Sequence, residues 1–259
     1  MMNAIIIPIY KSDLDSQELI SLKSCFSILG KHTIIFVAPE GLDISYYEKE
    51  IEQKINVERF DKSYFADIAG YNTLMLSKIF YERFLNFEYI LIYQLDCYVF
   101  RDELQYWCEK AYDYIGAPWL DYGFYNMSKY NKFSFLIKMI FENLKKINSF
   151  TSKNILINNV GNGGFSLRKV QKFIEVLDNV DQSKIDIFRK SNDSSSILNE
   201  DIFWSFVAKG VKKPSYKIAT QFSLDTAVEI GLKLNHGNLP FGCHGWIKGY
   251  RFWEKHINL

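Results

Sequence analysis

Residues 4–9 read Ala4-Ile5-Ile6-Ile7-Pro8-Ile9, and this stretch decides the fold. An apolar run of that length, with no alternating polar residue, is the pattern of a parallel strand covered on both faces. Working outward, residues 12–29 change to helical spacing. Leu14, Leu19, Leu22, Phe26 and Leu29 fall on one side, Ser12 and Asp15 give a capping-box-like start, and Gly30 follows the end. Residues 33–38 (TIIFVA) form a second buried strand. Strand, helix and strand within forty residues open a parallel α/β sheet whose crossovers are right-handed.

Farther along, 70–85 reads as a helix and 89–100 (YILIYQLDCYVF) as the strongest strand. A short strand at 114–116, a glycine turn at 161–164 and a helix over 169–177 follow. Residues 178–196 are polar and predicted to be loop, 199–208 a short helix stopped by Gly210, and 241–250 an ordered glycine- and aromatic-rich loop. No repeat or linker interrupts the 259 residues, a length that one hydrophobic core can organise, so a single domain is expected.

Composition removes several classes of function. Thirty-one basic against 30 acidic residues leave no basic excess for duplex nucleic acid, and 48% hydrophobic content excludes a disordered chain. Cys25, Cys97, Cys108 and Cys243 are scattered without zinc-ligand spacing and are expected to be reduced thiols. Met1–Tyr10 lacks the basic region and cleavage site of a signal peptide, and no run reaches the roughly 18–20 apolar residues of a membrane span. A cytoplasmic protein is expected. Residues 130–150 mix large apolar residues with Lys132, Lys138, Lys145 and Lys146. If helical, they either lie on an anionic membrane surface or pack on the body with solvated lysines.

A few residues interrupt these patterns in ways that chemistry would explain. Asp96 stands near the carboxyl end of an apolar strand, where a carboxylate is costly unless it emerges into a polar crevice, pairs with a cationic side chain or binds a cation. Asn162-Gly163-Gly164 permits close backbone approach to a ligand, but matches neither the dinucleotide fingerprint nor a phosphate-binding P-loop. Glu200 and Asp201 follow Asn199, which is expected to cap a helix whose first turn the two acids complement. His244, flanked by glycines and aromatics, has the character of a metal or phosphate ligand.

Taken together, Tyr71-Asn72-Thr73-Leu74, Phe80-Tyr81-Glu82-Arg83-Phe84, YQLDCYVF, YDYIGAPW (112–119), NGGFSLRK (162–169), NEDIFW (199–204) and PFGCHGW (240–246) resemble a GT-A type glycosyltransferase. More narrowly, they resemble an uncharacterised bacterial glycosyltransferase-like family of the DUF5672 kind, from about residue 60 onward. The resemblance implies a Rossmann-like, mostly parallel sheet flanked by helices in one domain. A nucleotide-binding half would span about 1–120 and an acceptor-side half about 121–259.

It also implies transfer of a sugar from a nucleotide-sugar donor, with a UDP-sugar favoured, to a glycan or lipid-linked glycan. The setting would be bacterial surface-polysaccharide synthesis at or near the inner face of the membrane, with inversion favoured. Residue by residue, the Asp-x-Asp motif that holds Mn²⁺ or Mg²⁺ in such enzymes falls on Asp96-Cys97-Tyr98, where Tyr98 replaces the second acid. That leaves Asp96 with His244 as ligands, or a site in which protein cations replace the metal. Pro8 and Tyr10 would receive the base, Lys78 or Arg83 would lie near donor phosphate, and Asn162, Gly163 and Gly164 would line the sugar pocket. Asp201, with Glu200 second, would be the general base, kept ionised by its helix N-terminus. Trp119, Phe165, Trp204 and Trp246 would stack on sugar rings. Two other readings stand beside this one: a non-catalytic glycan-binding module on the same fold, and a nucleotidyltransferase.

Overall fold

The apolar run becomes β1 (Asn3–Pro8), buried at all six positions because it lies between two parallel neighbours. In the computed structural model, which describes residues 2–135, 153–189 and 198–257, β1 pairs with β2 (Thr33–Pro39) on one side and β4 (Tyr89–Tyr93) on the other. Ile5 and Ile7 join the core beneath the helix Ser16–Leu29, while Ala4 and Ile6 join the opposite core with Phe80, Tyr81 and Phe84. Burial on both faces is why no polar residue alternates along the run.

The six-stranded sheet has the order β3-β2-β1-β4-β7-β6, with β3 at Asn56–Phe60, β6 at Tyr114–Ile115 and β7 at Phe165–Lys169. Its first four strands are parallel, and β7 runs antiparallel between β4 and β6. One sheet therefore takes strands from both sides of residue 120. The chain moves outward through β1, β2 and β3, then returns to place β4 on the other side of β1. A crevice opens outside the carboxyl ends of strands at such a reversal.

Several boundaries differ from the sequence reading, each for a local reason. The first helix starts one turn later than Ser12. Asp15 Oδ1 accepts from the backbone N–H of Gln17 and Glu18 (2.9 and 2.8 Å), and Glu18 Oε2 accepts from the Asp15 N–H, a full capping box. Residues 70–85 divide into helices Ile68–Met75 and Lys78–Glu82, because Ser77 leaves the helical path to cap the second through the Phe80 N–H. The expected loop 178–196 contains the helix Gln182–Arg189, which buries Ile185 and Phe188; residues 190–197 fall outside the described ones.

The run 89–100 is not one strand. β4 ends at Tyr93, a turn closes from the Cys97 N–H to the Gln94 carbonyl (2.9 Å), and Tyr98–Val99 forms β5 of a second sheet. That sheet has the order β5-β9-β8, with β8 at Ser223–Leu224 and β9 at Gly242–Cys243, so the expected loop 241–250 contributes a strand and the start of the helix Tyr250–Trp253. All four cysteines are free and buried. No described helix is long and apolar enough to cross a membrane. Of the proposed membrane-contacting stretch, residues 136–150 lie outside the described ones.

Candidate active site

β1 and β4 both end beside the reversal in strand order. The residues that follow them, Pro8, Ile9, Tyr10 and Lys11 from β1 and Gln94, Leu95 and Asp96 from β4, line a cleft of about 590 Å³. Tyr47, Tyr64, Phe65 and Tyr71 supply aromatic walls. Lys11 is the one cationic side chain among the described lining residues, and it is paired with Glu18. Pro8, Tyr10 and Asp96, expected at the donor, thus come to one place. Lys78 does not: it pairs with Asp178 (2.7 Å) and Glu82 (3.6 Å) on the helical surface, where helix geometry directs its side chain to solvent.

At the rim, Asp96 meets His244. The Asp96 Oδ1 atom lies 3.2 Å from His244 Nε2, Gln94 Oε1 lies 3.2 Å from the same nitrogen, and Asp225 Oδ1 lies 3.6 Å from Nδ1 on the other side of the ring. Burial opposes a charge on His244, but Asp225 and Asp96 outweigh it and raise its pKa to about 10. Burial likewise works against the Asp96 carboxylate, and His244 overcomes it, leaving the pKa below its ordinary value. Asp96 and His244 offer a carboxylate oxygen and an imidazole nitrogen to a cation. Cys97 lies within the same cluster, but burial pushes its thiol well up, and Sγ donates to the Gly164 carbonyl (3.2 Å). Tyr98, at the place of the second motif acid, packs with Trp246 and Phe100 and is turned to the core.

The glycine turn reaches this rim because β7 starts where β4 ends: Phe165 is paired with Tyr93, and the Gln94 N–H donates to the Gly164 carbonyl (2.9 Å). Asn162 takes the left-handed conformation (φ 62°), its Nδ2 donating to Asp225 Oδ2 (2.8 Å). The two glycines make room for protein and not, as expected, for a ligand. A Cβ on Gly163 would collide with Glu200, and one on Gly164 with the His244 ring.

Glu200 and Asp201, adjacent in sequence, have different fates. Glu200 is buried and accepts from Arg168 Nη2 (2.8 Å); Arg168 also donates to Tyr81 Oη (2.9 Å) and Ser166 Oγ (3.0 Å). This pair occupies the core between the sheet and the helix start, so Glu200 is a structural acid. Asp201 is half-buried, with Oδ1 accepting from the Ile202 N–H (2.8 Å). Burial, together with the adjacent Glu200 charge, pushes its pKa up to about 7. The helix N-terminus therefore does not keep Asp201 fully ionised. Asn199 makes no side-chain cap; Asn72 Oδ1 accepts from the Glu200 N–H instead (3.1 Å). The expected single helix is a short turn, Glu200–Ile202, continuing as a π-helical turn over Phe203–Val207, a local geometry frequent near functional sites.

The aromatic expectations divide sharply. Trp204, Trp246 and Phe165 are fully buried: Trp204 packs on Phe173 with ring centroids 3.9 Å apart, and Phe165 packs among Tyr93, Phe222 and Phe241. None presents a face to a sugar. Trp119 is half-buried and lines a separate surface hollow of about 490 Å³ with Asp121, Tyr122 and Thr226. Gln94 and Asp225 were missed. Gln94 carried a readable signal, a polar side chain two residues before Asp96 in an apolar run. Asp225 carried none, since it reaches the site through a fold contact.

The fold is shared with mouse xyloside xylosyltransferase 1 in its apo form (TM-score 0.51, 9% identity, covering 95% of this chain and 98% of that one). It is shared also with an active-site mutant of LgtC (TM-score 0.52, 13% identity, 93% and 86%). The architecture is thus that of GT-A glycosyltransferases, and at these identities the likeness speaks to the fold alone. No curated protein matches the sequence. The profile of a family described as "Protein of unknown function (DUF5672)" matches residues 54–244, well over half of the chain and from before β3 to His244, and the chain belongs to that family.

Proposed function

We propose that the protein is a glycosyltransferase that moves a sugar from a nucleotide-sugar donor to a hydroxyl acceptor. The observation that carries this reading is the convergence, at the carboxyl ends of β1 and β4, of an aromatic-walled cleft with a carboxylate–imidazole pair at its rim. Pro8 and Tyr10, with the cleft tyrosines, receive the base and ribose of the donor, a UDP-sugar. Asp96 and His244 hold a divalent cation, Mn²⁺ or Mg²⁺, which when bound neutralises charge on the departing diphosphate. Among the described residues that line the cleft, the one lysine, Lys11, is already paired with Glu18, which supports that assignment.

Asp201 is the general base. The acceptor oxygen attacks the anomeric carbon, its proton passes to the Asp201 carboxylate, and the bond to the diphosphate oxygen breaks with its electron pair leaving on phosphate. Attack from the face opposite the leaving group inverts the anomeric configuration. The acceptor is a glycan or lipid-linked glycan of a surface polysaccharide, approaching along the hollow edged by Trp119.

The test incubates purified protein with a panel of nucleotide sugars and Mn²⁺ or Mg²⁺ and measures nucleoside diphosphate release. Release that depends on acceptor supports transfer. Pyrophosphate in its place indicates nucleotidyl transfer, and glycan binding without nucleotide binding indicates a lectin-like module; either result sinks the proposal.

A further inference from the structure

We infer that the cation site has a third donor, the side-chain carbonyl of Gln94, and that Asp225 is the positioning residue that holds the His244 ring toward it. This assignment rests on the sugar-transfer reading for the ion's purpose, but the binding itself is testable without donor or acceptor.

Gln94 Oε1 and Asp96 Oδ1 each lie 3.2 Å from His244 Nε2. That spacing is close to the edge, about 3 Å, of an octahedron with bonds of about 2.1 Å, the geometry that small divalent ions demand. Three donors therefore converge, two on the turn after β4 and one after β9. Gly164 leaves the space for them: a Cβ there would collide with the His244 ring and sit 2.6 Å from Gln94 Oε1.

Behind the ring, His244 Nδ1 faces Asp225 Oδ1 at 3.6 Å, and Asn162 Nδ2 holds the other Asp225 oxygen at 2.8 Å. A bound metal displaces the proton from Nε2, and the Asp225 carboxylate facing Nδ1 favours keeping the remaining ring proton on that side, the carboxylate–histidine–metal arrangement. Gln94 also explains how the site manages without an acid at Tyr98. The neutral carbonyl replaces a carboxylate from two residues before Asp96 instead of two after it. Oxygen donors suit Mg²⁺ and Mn²⁺, and the imidazole shifts the preference toward Mn²⁺.

The experiment titrates the full chain with Mn²⁺ alone and follows free Mn²⁺ by EPR, with circular dichroism to check folding. Wild type should bind one ion, and Gln94→Leu and Asp225→Asn should each weaken binding about ten- to a hundredfold. Gln94→Glu, which keeps an oxygen in place and adds charge, should tighten binding; a merely structural Gln94 would not give that result. Pulsed EPR should show ¹⁴N coupling that is lost in His244→Ala. Wild-type affinity in Gln94→Leu and Gln94→Glu removes Gln94, and wild-type affinity in Asp225→Asn removes Asp225. Absence of Mn²⁺ binding by the wild type overturns the whole site, whereas diphosphate release by metal-free protein in the same preparation would leave sugar transfer standing.

Discussion

Glu200 and Asp201 differ by one position along the chain and by the partner each meets. Glu200 is committed to Arg168 in the core, and removing its charge leaves a buried guanidinium uncompensated. Glu200→Gln should cost about 3–5 kcal/mol in urea unfolding. Among the described residues Asp201 has no ion-pair partner, and burial with the neighbouring Glu200 charge outweighs Arg168 and His244 to push its pKa up to about 7 from an ordinary 3.8. A raised carboxyl pKa stabilises the protonated folded state, so this contribution is complete below pH 3.8 and is lost as pH rises through 7. Asp201→Asn does not titrate. Its melting temperature relative to wild type should therefore climb between pH 4 and pH 7 and level off above; a pH-independent difference would show that Asp201 is not desolvated. As the proposed base it should also give diphosphate release that rises with pH through about 7 and plateaus. Asp201→Asn should lower turnover by about 10²–10⁴-fold with donor binding retained, and unchanged turnover would remove it from the mechanism.

At the scale of elements, the run 89–100 shows what sequence pattern resolves and what it does not. Tyr89–Tyr93 was legible because both faces of β4 are buried. The break after it was not, because Tyr98 and Val99 are as apolar as β4 and only their pairing with β9 assigns them to another sheet. The aromatic residues teach the same lesson. Trp204 closely follows the acids Glu200 and Asp201 in sequence, yet the π-helical turn points it at Tyr81 and Phe173. Trp204→Ala should therefore cost about 3–5 kcal/mol of stability, while nucleotide affinity per folded molecule stays at the wild-type value. A selective loss of acceptor binding without destabilisation would return Trp204 to the sugar site.

For the whole molecule, the strand order β3-β2-β1-β4 places the ends of β1 and β4 side by side, and β7 delivers the glycine turn to the same rim. If the cleft and the rim form one donor site, nucleoside diphosphate with Mn²⁺ should raise the melting temperature more than the sum of the two added singly, since each completes the other's site. Additive shifts would separate them. The sequence by itself determined the strand–helix–strand opening, the buried thiols, and Asp96 and His244 as the polar exceptions, because these follow from local apolar pattern and the cost of burying charge. The tertiary structure alone decided that Glu200 is an ion-pair partner, that Trp204, Trp246 and Phe165 are core, and that Gln94 and Asp225 flank His244. Each depends on contacts between residues distant in sequence, from the 19 positions between Asp225 and His244 to the 150 between Gln94 and His244, which no local periodicity encodes.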